Sequence, residues 1–382
     1  MLIHNARIYT PVRVIHNGWL WIENHRIRAI GQGDVPRTED EKIDARGLNL
    51  LPGFIDIHVH GAVGHEFMDA NPDGLRAMAQ YYAQHGVTAF LPTTWTDSRE
   101  RILAALHLAV EMMGAQSDGA TILGAHIEGP YLNAEKCGAQ NSEYIRRAEV
   151  EEATAILDTG IVRLMALAPE FEENHWLIRE CVHRGITVSA AHTSATYEEM
   201  QLAFRLGLSH STHTFNAMIG LHHRDPGTVG AVMTAPQVMC ELIADNIHVH
   251  PASMQVLYAV KGANGIVLIT DAVRGAGMPD GEYKIDERIT RVADDAVRLL
   301  DGTLAGSTLT MNRALYHFMN AVHEPLENIW QVSSLNAARA IHVSHQKGSL
   351  EVNKDADLVL VDDEINVYLT LAEGRIIYQN DI

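Results

Sequence analysis

The middle of the chain alternates between two hydrophobic patterns. Short, nearly unbroken apolar runs are each followed by a stretch with apolar residues every three or four positions. The first pattern reads as buried strands and the second as amphipathic helices. The apolar runs fall at residues 54–60, 87–93, 122–128, 163–169, 187–192, 210–216, 240–248 and 266–271. Helical patterns lie between them at 75–84, 99–113, 149–157, 174–183, 197–206 and 251–260. Strands that are apolar on both faces and separated by helices predict a parallel sheet. Eight such units over about 220 residues fit a closed (β/α)8 barrel of the α/β class. An open doubly wound sheet is the rival arrangement. No Gly-x-Gly-x-x-Gly follows the first strand, which counts against it.

The two ends carry a different pattern. Segments 2–9, 19–23 and 26–30 near the start, and 357–362, 367–371 and 375–378 near the finish, read as short strands, with Gly33, Gly348 and Gly374 at turns. This predicts a small β-sandwich domain formed by both termini, residues 1–50 and 345–382. A TIM-like barrel is then expected to span 51–344.

Composition narrows the function classes. With 47% hydrophobic and 20% charged residues, the 382-residue chain is neither disordered nor collagen-like. Its formal net charge is −19. Such a chain repels nucleic acid and anionic membranes at long range, so neither is an expected partner. A phosphate ligand must be held locally, by backbone N–H groups and a few placed cations. Cys137, Cys181 and Cys240 are too few and too widely spaced for a disulfide framework, which suits a reducing, cytoplasmic setting. The opening MLIHNARIYTPVRV lacks an apolar core and a small-residue cleavage site, so no signal peptide is expected. No apolar stretch reaches the roughly 18 residues of a membrane span. Histidine stands out at 22 copies, and it is the commonest metal ligand.

In a barrel of this kind the site forms at the carboxyl ends of the strands. Those ends read His58-Val59-His60, Thr93-Thr94, His126-Ile127-Glu128-Gly129-Pro130, Glu170, His192-Thr193-Ser194, His213 with Asn216-Ala217, Asp245 with His248, and Asp271. Alternate residues of a strand share a face, so His58 and His60 point the same way. Glu128, His192, His213 and Asp271 converge on them from other strands. Neutral imidazoles with carboxylates suit Zn²⁺ or Fe²⁺ with one open position. Taken singly each has an ordinary explanation. Asp271 could cap a helix, Glu128-Gly129-Pro130 could be a turn, and His222-His223-Arg224 could be a solvated loop. It is the joint placement that points to a metal centre. None of the six lysines ends a barrel run. A carbamylated lysine bridging two metals is thereby excluded, and Glu128 is the candidate bridge.

The segments LPGFIDIHVHG (51–61), HIEGPYLN (126–133), AHTSAT (191–196), THTFNAM (212–218), HHRDPG (222–227), LIADNIHVH (242–250), ITDAV (269–273) and GTLAGSTLTM (302–311) resemble the N-acetylglucosamine-6-phosphate deacetylase family of the amidohydrolase superfamily. The resemblance covers residues 2–378. It implies that Glu128, His192 and His213 hold the main catalytic metal and that Asp271 is the catalytic acid/base. It implies that His58 and His60 hold a second metal, which some members bind and others lack. One or two divalent ions per chain follow, zinc or iron. Asn216 and Ala217 resemble residues whose backbone reaches the sugar phosphate, and Arg224 and His248 its cationic clamps. In the family the arginine comes from the neighbouring subunit, which implies a homodimer. Ala139 and the segment Leu304-Ala305-Gly306 resemble contacts to the sugar and acetyl group. Many members carry histidine where this chain has Gln140, and members that keep the His-x-His pair resemble it in having glutamine. The reaction implied is hydrolysis of the acetamide of an N-acetylhexosamine 6-phosphate to hexosamine 6-phosphate and acetate. N-acetylglucosamine 6-phosphate is the first candidate substrate and its galactosamine epimer the second. A different amidohydrolase, or a sugar-phosphate sensor without catalysis, stays open.

Overall fold

The computed structural model describes residues 1–36 and 40–381; residue 382, the last of the expected accessory segment, lies outside them. Barrel strand one is Phe54–Val59 and strand two Val87–Pro92. Strand three is Ala125–Glu128, preceded by Thr121–Ile122, which pairs with strand two. Strands four to eight are Val162–Leu167, Thr187–Ala190, His210–Ser211, Met239–Ile243 and Ile266–Ile269. Successive strands pair in parallel, with strand two meeting strand three at the bridge Thr93–His126. The ring closes between strands eight and one. There Asp271 N donates to His58 O at 2.9 Å and His60 N to Ala272 O at 2.8 Å. The buried Asp56 carboxylate reinforces that seam by accepting from the Thr270 hydroxyl at 2.5 Å.

All six expected helices form: Pro72–Gln84, Arg99–Met112, Val150–Leu157, Glu172–His183, Tyr197–Leu206 and Pro251–Lys261. Their starts follow local chemistry. The Asn71 side chain accepts from the N–H groups of Asp73 and Gly74, with Pro72 at the first helical position. Thr196 and Glu199 form a reciprocal capping box.

Three features go beyond the sequence reading. Strands six and seven stop at Ser211 and Ile243, short of the apolar runs that suggested them, so the polar residues after them lie in turns. Helix Gly227–Thr234 is buried nearly all round and has no amphipathic stripe to detect. Between strand eight and helix Met311–Val322, four antiparallel strands make a separate sheet: Gly281–Ile285, Arg288–Ala293, Ala296–Leu299 and Leu304–Ser307.

Both termini enter one mixed sheet. Its order is Arg375–Gln379, Val367–Ala372, Leu358–Val361, Asn49–Pro52, Leu2–Tyr9, Val14–Glu23 and Arg26–Gln32, with Lys42–Asp44 also pairing with Leu2–Tyr9. The period of two sorts its faces. Leu358 and Leu360 join a local core with Ile8, Leu20 and Ile27, whereas Val359 and Val361 join the barrel's core. Lys347 sits buried beside this sheet, 3.0, 2.9 and 3.2 Å from Asp355, Asp357 and Glu373.

Candidate metal centre and cleft

Glu128 ends strand three with both carboxylate oxygens in use. Oε1 lies 3.1 Å from His192 Nε2 and 3.0 Å from His213 Nε2, and those two nitrogens are 3.2 Å apart. Oε2 lies 3.4 and 3.2 Å from the Nε2 atoms of His58 and His60. Asp271 Oδ1 completes the second group, 3.5 and 3.2 Å from the same two atoms. Glu128 thus stands between two donor clusters, Glu128–His192–His213 and His58–His60–Asp271.

The backbone at these positions is unusual. His192, His213 and Asp271 have φ of 44°, 28° and 50°, and Phe215 and Ala217 follow at 85° and 52°. Non-glycine residues adopt this left-handed region at a cost, and they collect where a site over-determines the conformation. Each sits just past a barrel strand, so the turn swings its side chain over the barrel mouth.

The donor set fits a bound cation. His192 Nδ1 faces the Lys136 carbonyl at 2.8 Å, so that nitrogen carries the proton in a neutral ring. Its Nε2 lone pair then points at a carboxylate oxygen and at another imidazole nitrogen. His58 repeats the pattern, its Nδ1 facing Glu241 Oε2 at 3.0 Å while Nε2 faces oxygens and His60. Lone pairs opposed at such distances require positive charge between them. Without an ion the rings supply it. Burial opposes charge on His58 and His60, but Glu128 and Asp271 outweigh it, holding His58 well above its usual range and His60 up at about 9. Burial likewise opposes the charged carboxylates, and the imidazoles outweigh it, so Glu128 and Asp271 stay ionised below their usual range. Buried imidazole and carboxylate in this geometry suit a divalent ion of the zinc or iron type.

A cleft opens over the cluster. Glu128, His192, His213 and Asp271 line it; His58 and His60 are fully buried and reach it through Glu128 and Asp271. Ala139, Gln140, Asn216, Ala217 and His248 also line it. Gln140 Nε2 donates to Glu128 Oε2 at 2.8 Å, and its Oε1 accepts from Thr96 N at 2.8 Å. One N–H of the Gln140 amide is therefore engaged and the other is left for a ligand. His248 is held by Asp245, whose carboxylate faces Nδ1 at 2.6 Å and accepts from the His248 backbone N–H at 2.7 Å. The strand Leu304–Ser307 crosses the cleft with Leu304 and Gly306 facing in, while the Ala305 side chain is buried on the strand's other side. Arg224, like the Ala305 side chain, is a predicted substrate contact that does not line the cleft of its own chain. It lies on an exposed turn with Nη1 2.8 Å from His223 Nε2.

Sequence reasoning gave no role to three side chains in this region. Trp95 lines the cleft and stacks on His60, ring centroids 4.0 Å apart. His126 packs edge-on to His58 at 4.6 Å, and burial pushes it down to about 3. Glu241 supports His58 from within strand seven. The signal for Glu241 was present: a carboxylate inside an otherwise apolar strand, Met239–Ile243.

The chain belongs to the amidohydrolase family, whose model matches residues 49–377. Within it, the chain is 39% identical over 384 residues to the N-acetylglucosamine-6-phosphate deacetylase of Vibrio furnissii, covering 98% of this chain and 96% of the relative. It is 36% identical to the N-acetylgalactosamine-6-phosphate deacetylase of Escherichia coli O157:H7, over 93% and 95% of the two chains. The crystal structure of the Pasteurella multocida N-acetylglucosamine-6-phosphate deacetylase superposes with a TM-score of 0.94 at 33% identity, covering 99% of each chain. Among the described residues no helix is long and apolar enough to cross a membrane.

Proposed function

We propose that the chain is a metal-dependent deacetylase that hydrolyses the acetamide of an N-acetylhexosamine 6-phosphate, N-acetylglucosamine 6-phosphate first, to the amino sugar phosphate and acetate. The observation that carries this reading is the meeting of Glu128, His192, His213 and Asp271 at one cleft beside Gln140 and His248. The similarity to deacetylases named for such substrates, across nearly the whole chain, supports it. The galactosamine epimer is the second reading, favoured by the Escherichia coli relative at 36% identity.

In this reading Glu128, His192 and His213 would hold the main ion, and His58 and His60, beside Glu128 and Asp271, a second. The chemistry such an ion would supply there is a water of pKa lowered toward about 7 and polarisation of the amide carbonyl. Asp271, kept ionised in the cluster, takes a proton from the attacking water and passes it to the departing nitrogen. The free N–H of Gln140 steadies the acetyl oxygen. His248, with Asp245 behind its Nδ1, turns its other nitrogen to the sugar phosphate, and Asn216 and Ala217 offer backbone to the same group. Leu304 and Gly306 bound the sugar, with Ala139 opposite and Ala305 supporting the strand. Arg224 completes the phosphate clamp in the partner's cleft of a homodimer. This remote binding energy orients the acetamide for attack. It also lets an acidic chain accept an anionic sugar. Residues 51–344 form the catalytic unit, 1–50 and 345–382 the accessory one, and the three unpaired thiols suit the cytoplasm.

The deciding experiment measures acetate released from both phosphorylated epimers and from unphosphorylated N-acetylglucosamine, by chelated protein and by protein resupplied with Zn²⁺ or Fe²⁺. The expected result is release that needs the metal, favours the phosphorylated sugars and is fastest with the glucosamine form. No release from either phosphorylated sugar, or full activity in metal-free protein, overturns the reading.

A further inference from the structure

We propose that Glu241 is a positioning residue that orients one ligand in each half of the metal centre. The proposal rests on the reading of the cluster as a divalent-metal site. Glu241 lies inside the barrel on strand seven and is completely buried. Its Oε2 faces His58 Nδ1 at 3.0 Å and accepts the His213 backbone N–H at 3.2 Å. Its main-chain oxygen accepts from Thr214 N at 2.9 Å. Its Oε1 lies 3.2 Å from His210 Nε2. One carboxylate therefore touches the ring of a residue in the His58–His60–Asp271 cluster and the backbone of a residue in the Glu128–His192–His213 cluster.

Each contact has a consequence for ligand geometry. The bond to His58 Nδ1 puts that ring's proton on the inner nitrogen, which frees the Nε2 lone pair for the ion. Carboxylate support of this kind also makes the ring a stronger donor. The bonds to the backbone of His213 and Thr214 hold the turn in which His213 has φ 28°, and that turn aims its ring at Glu128 and His192. A purely structural role explains the position poorly. Burying a carboxylate carries a desolvation cost even when it is paired, and an apolar side chain in this apolar strand avoids that cost.

The test uses the whole chain, stripped of metal and titrated with Co²⁺, in wild type, Glu241→Gln and Glu241→Leu. Binding is followed by equilibrium dialysis and by the visible spectrum of the ion, and the melting of each metal-free form is recorded. Glutamine keeps an acceptor toward His58 and His213 but lacks the charge, and Co²⁺ affinity is expected to fall about 10-fold; leucine removes the acceptor, with a loss of about 100-fold and an altered spectrum of any ion retained. Glu241→Gln is expected to melt as the wild type does when metal-free. Variants that bind Co²⁺ within twofold of wild type with an unchanged spectrum overturn the proposal, even where their metal-free melting falls. If the leucine variant does not fold, the glutamine variant alone decides. The readout is independent of turnover. Wild type that binds Co²⁺ but releases no acetate ends the deacetylase reading and leaves this one standing, whereas wild type that binds no Co²⁺ ends both.

Discussion

In the proposed reaction, Asp271 is the side chain on which the proton chemistry turns. It lies against His60 and His58 and opens on the cleft, and asparagine would copy its shape without its basicity. Asp271→Asn is expected to stay folded and keep metal at the Glu128 cluster while kcat falls at least about 10²-fold. Metal content and steady-state rates measured on one preparation check this together. His85 gives a prediction away from the centre. Burial drives its pKa down to about 4, with Asn312 opposing only in part. The unfolded chain, with an ordinary value near 6.5, then binds the extra proton between these limits. Stability is therefore lost as pH falls from about 6.5 toward 4. His85→Gln should flatten that part of a melting-temperature profile, and an unchanged slope would remove the residue from the acid response.

The strand Leu304–Ser307 shows how an element sets the site. Gly306 has φ +65°, and a Cβ there would stand 2.3 Å from Val273 Cγ1 and 2.8 Å from the Asp271 carbonyl. The neighbouring Ser307 N donates to that carbonyl at 2.8 Å. Gly306→Ala is therefore expected to cost about 1–3 kcal/mol and to lower kcat, because the strand can move only by taking Asp271 with it. Denaturant midpoints and rates on the same protein test the coupling. Element by element, the barrel was legible because its strands are apolar on both faces and its helices carry stripes. The sheet around Gly306 was not. Its strands are short and carry Glu282, Lys284, Arg288, Arg291 and Arg298, so their apolar alternation is faint in the sequence. Helix Gly227–Thr234 failed for the opposite reason, being apolar on every side. At the site, His192, His213, Glu128 and Asp271 could be singled out because they end strands, where the barrel plan says to look. Trp95 and Glu241 lacked that positional cue, and their roles become visible only once His60 and His58 are placed beside them.

At the scale of the whole molecule, two arrangements are open to measurement. Arg224 lies on an exposed turn away from its own cleft. If it serves a partner's cleft, mixing Arg224→Ala with Asp271→Asn subunits assembles heterodimers with one complete site. Activity should rise well above that of either variant, whereas a purely additive rate would place Arg224 outside any shared site. Lys347 binds three carboxylates in a buried pocket beside the terminal sheet. Lys347→Met removes the cation those three carboxylates share and is expected to cost about 3–5 kcal/mol, read as a lower unfolding midpoint with kcat per folded molecule unchanged.

The terminal sheet also dictates an order of events at birth. Asn49–Pro52 pairs on one side with Leu2–Tyr9 and on the other with Leu358–Val361. At ribosomal speeds of about 5–20 residues per second, the roughly 300 residues between those neighbours take on the order of 15–60 s to emerge. For that interval the nascent amino-terminal strands present an open, leucine-bearing edge. A ribosome that stalls before residue 358 leaves the edge permanently uncapped, ready to recruit a strand from another chain. Prematurely terminated copies should therefore accumulate as aggregates even where their barrels are nearly complete.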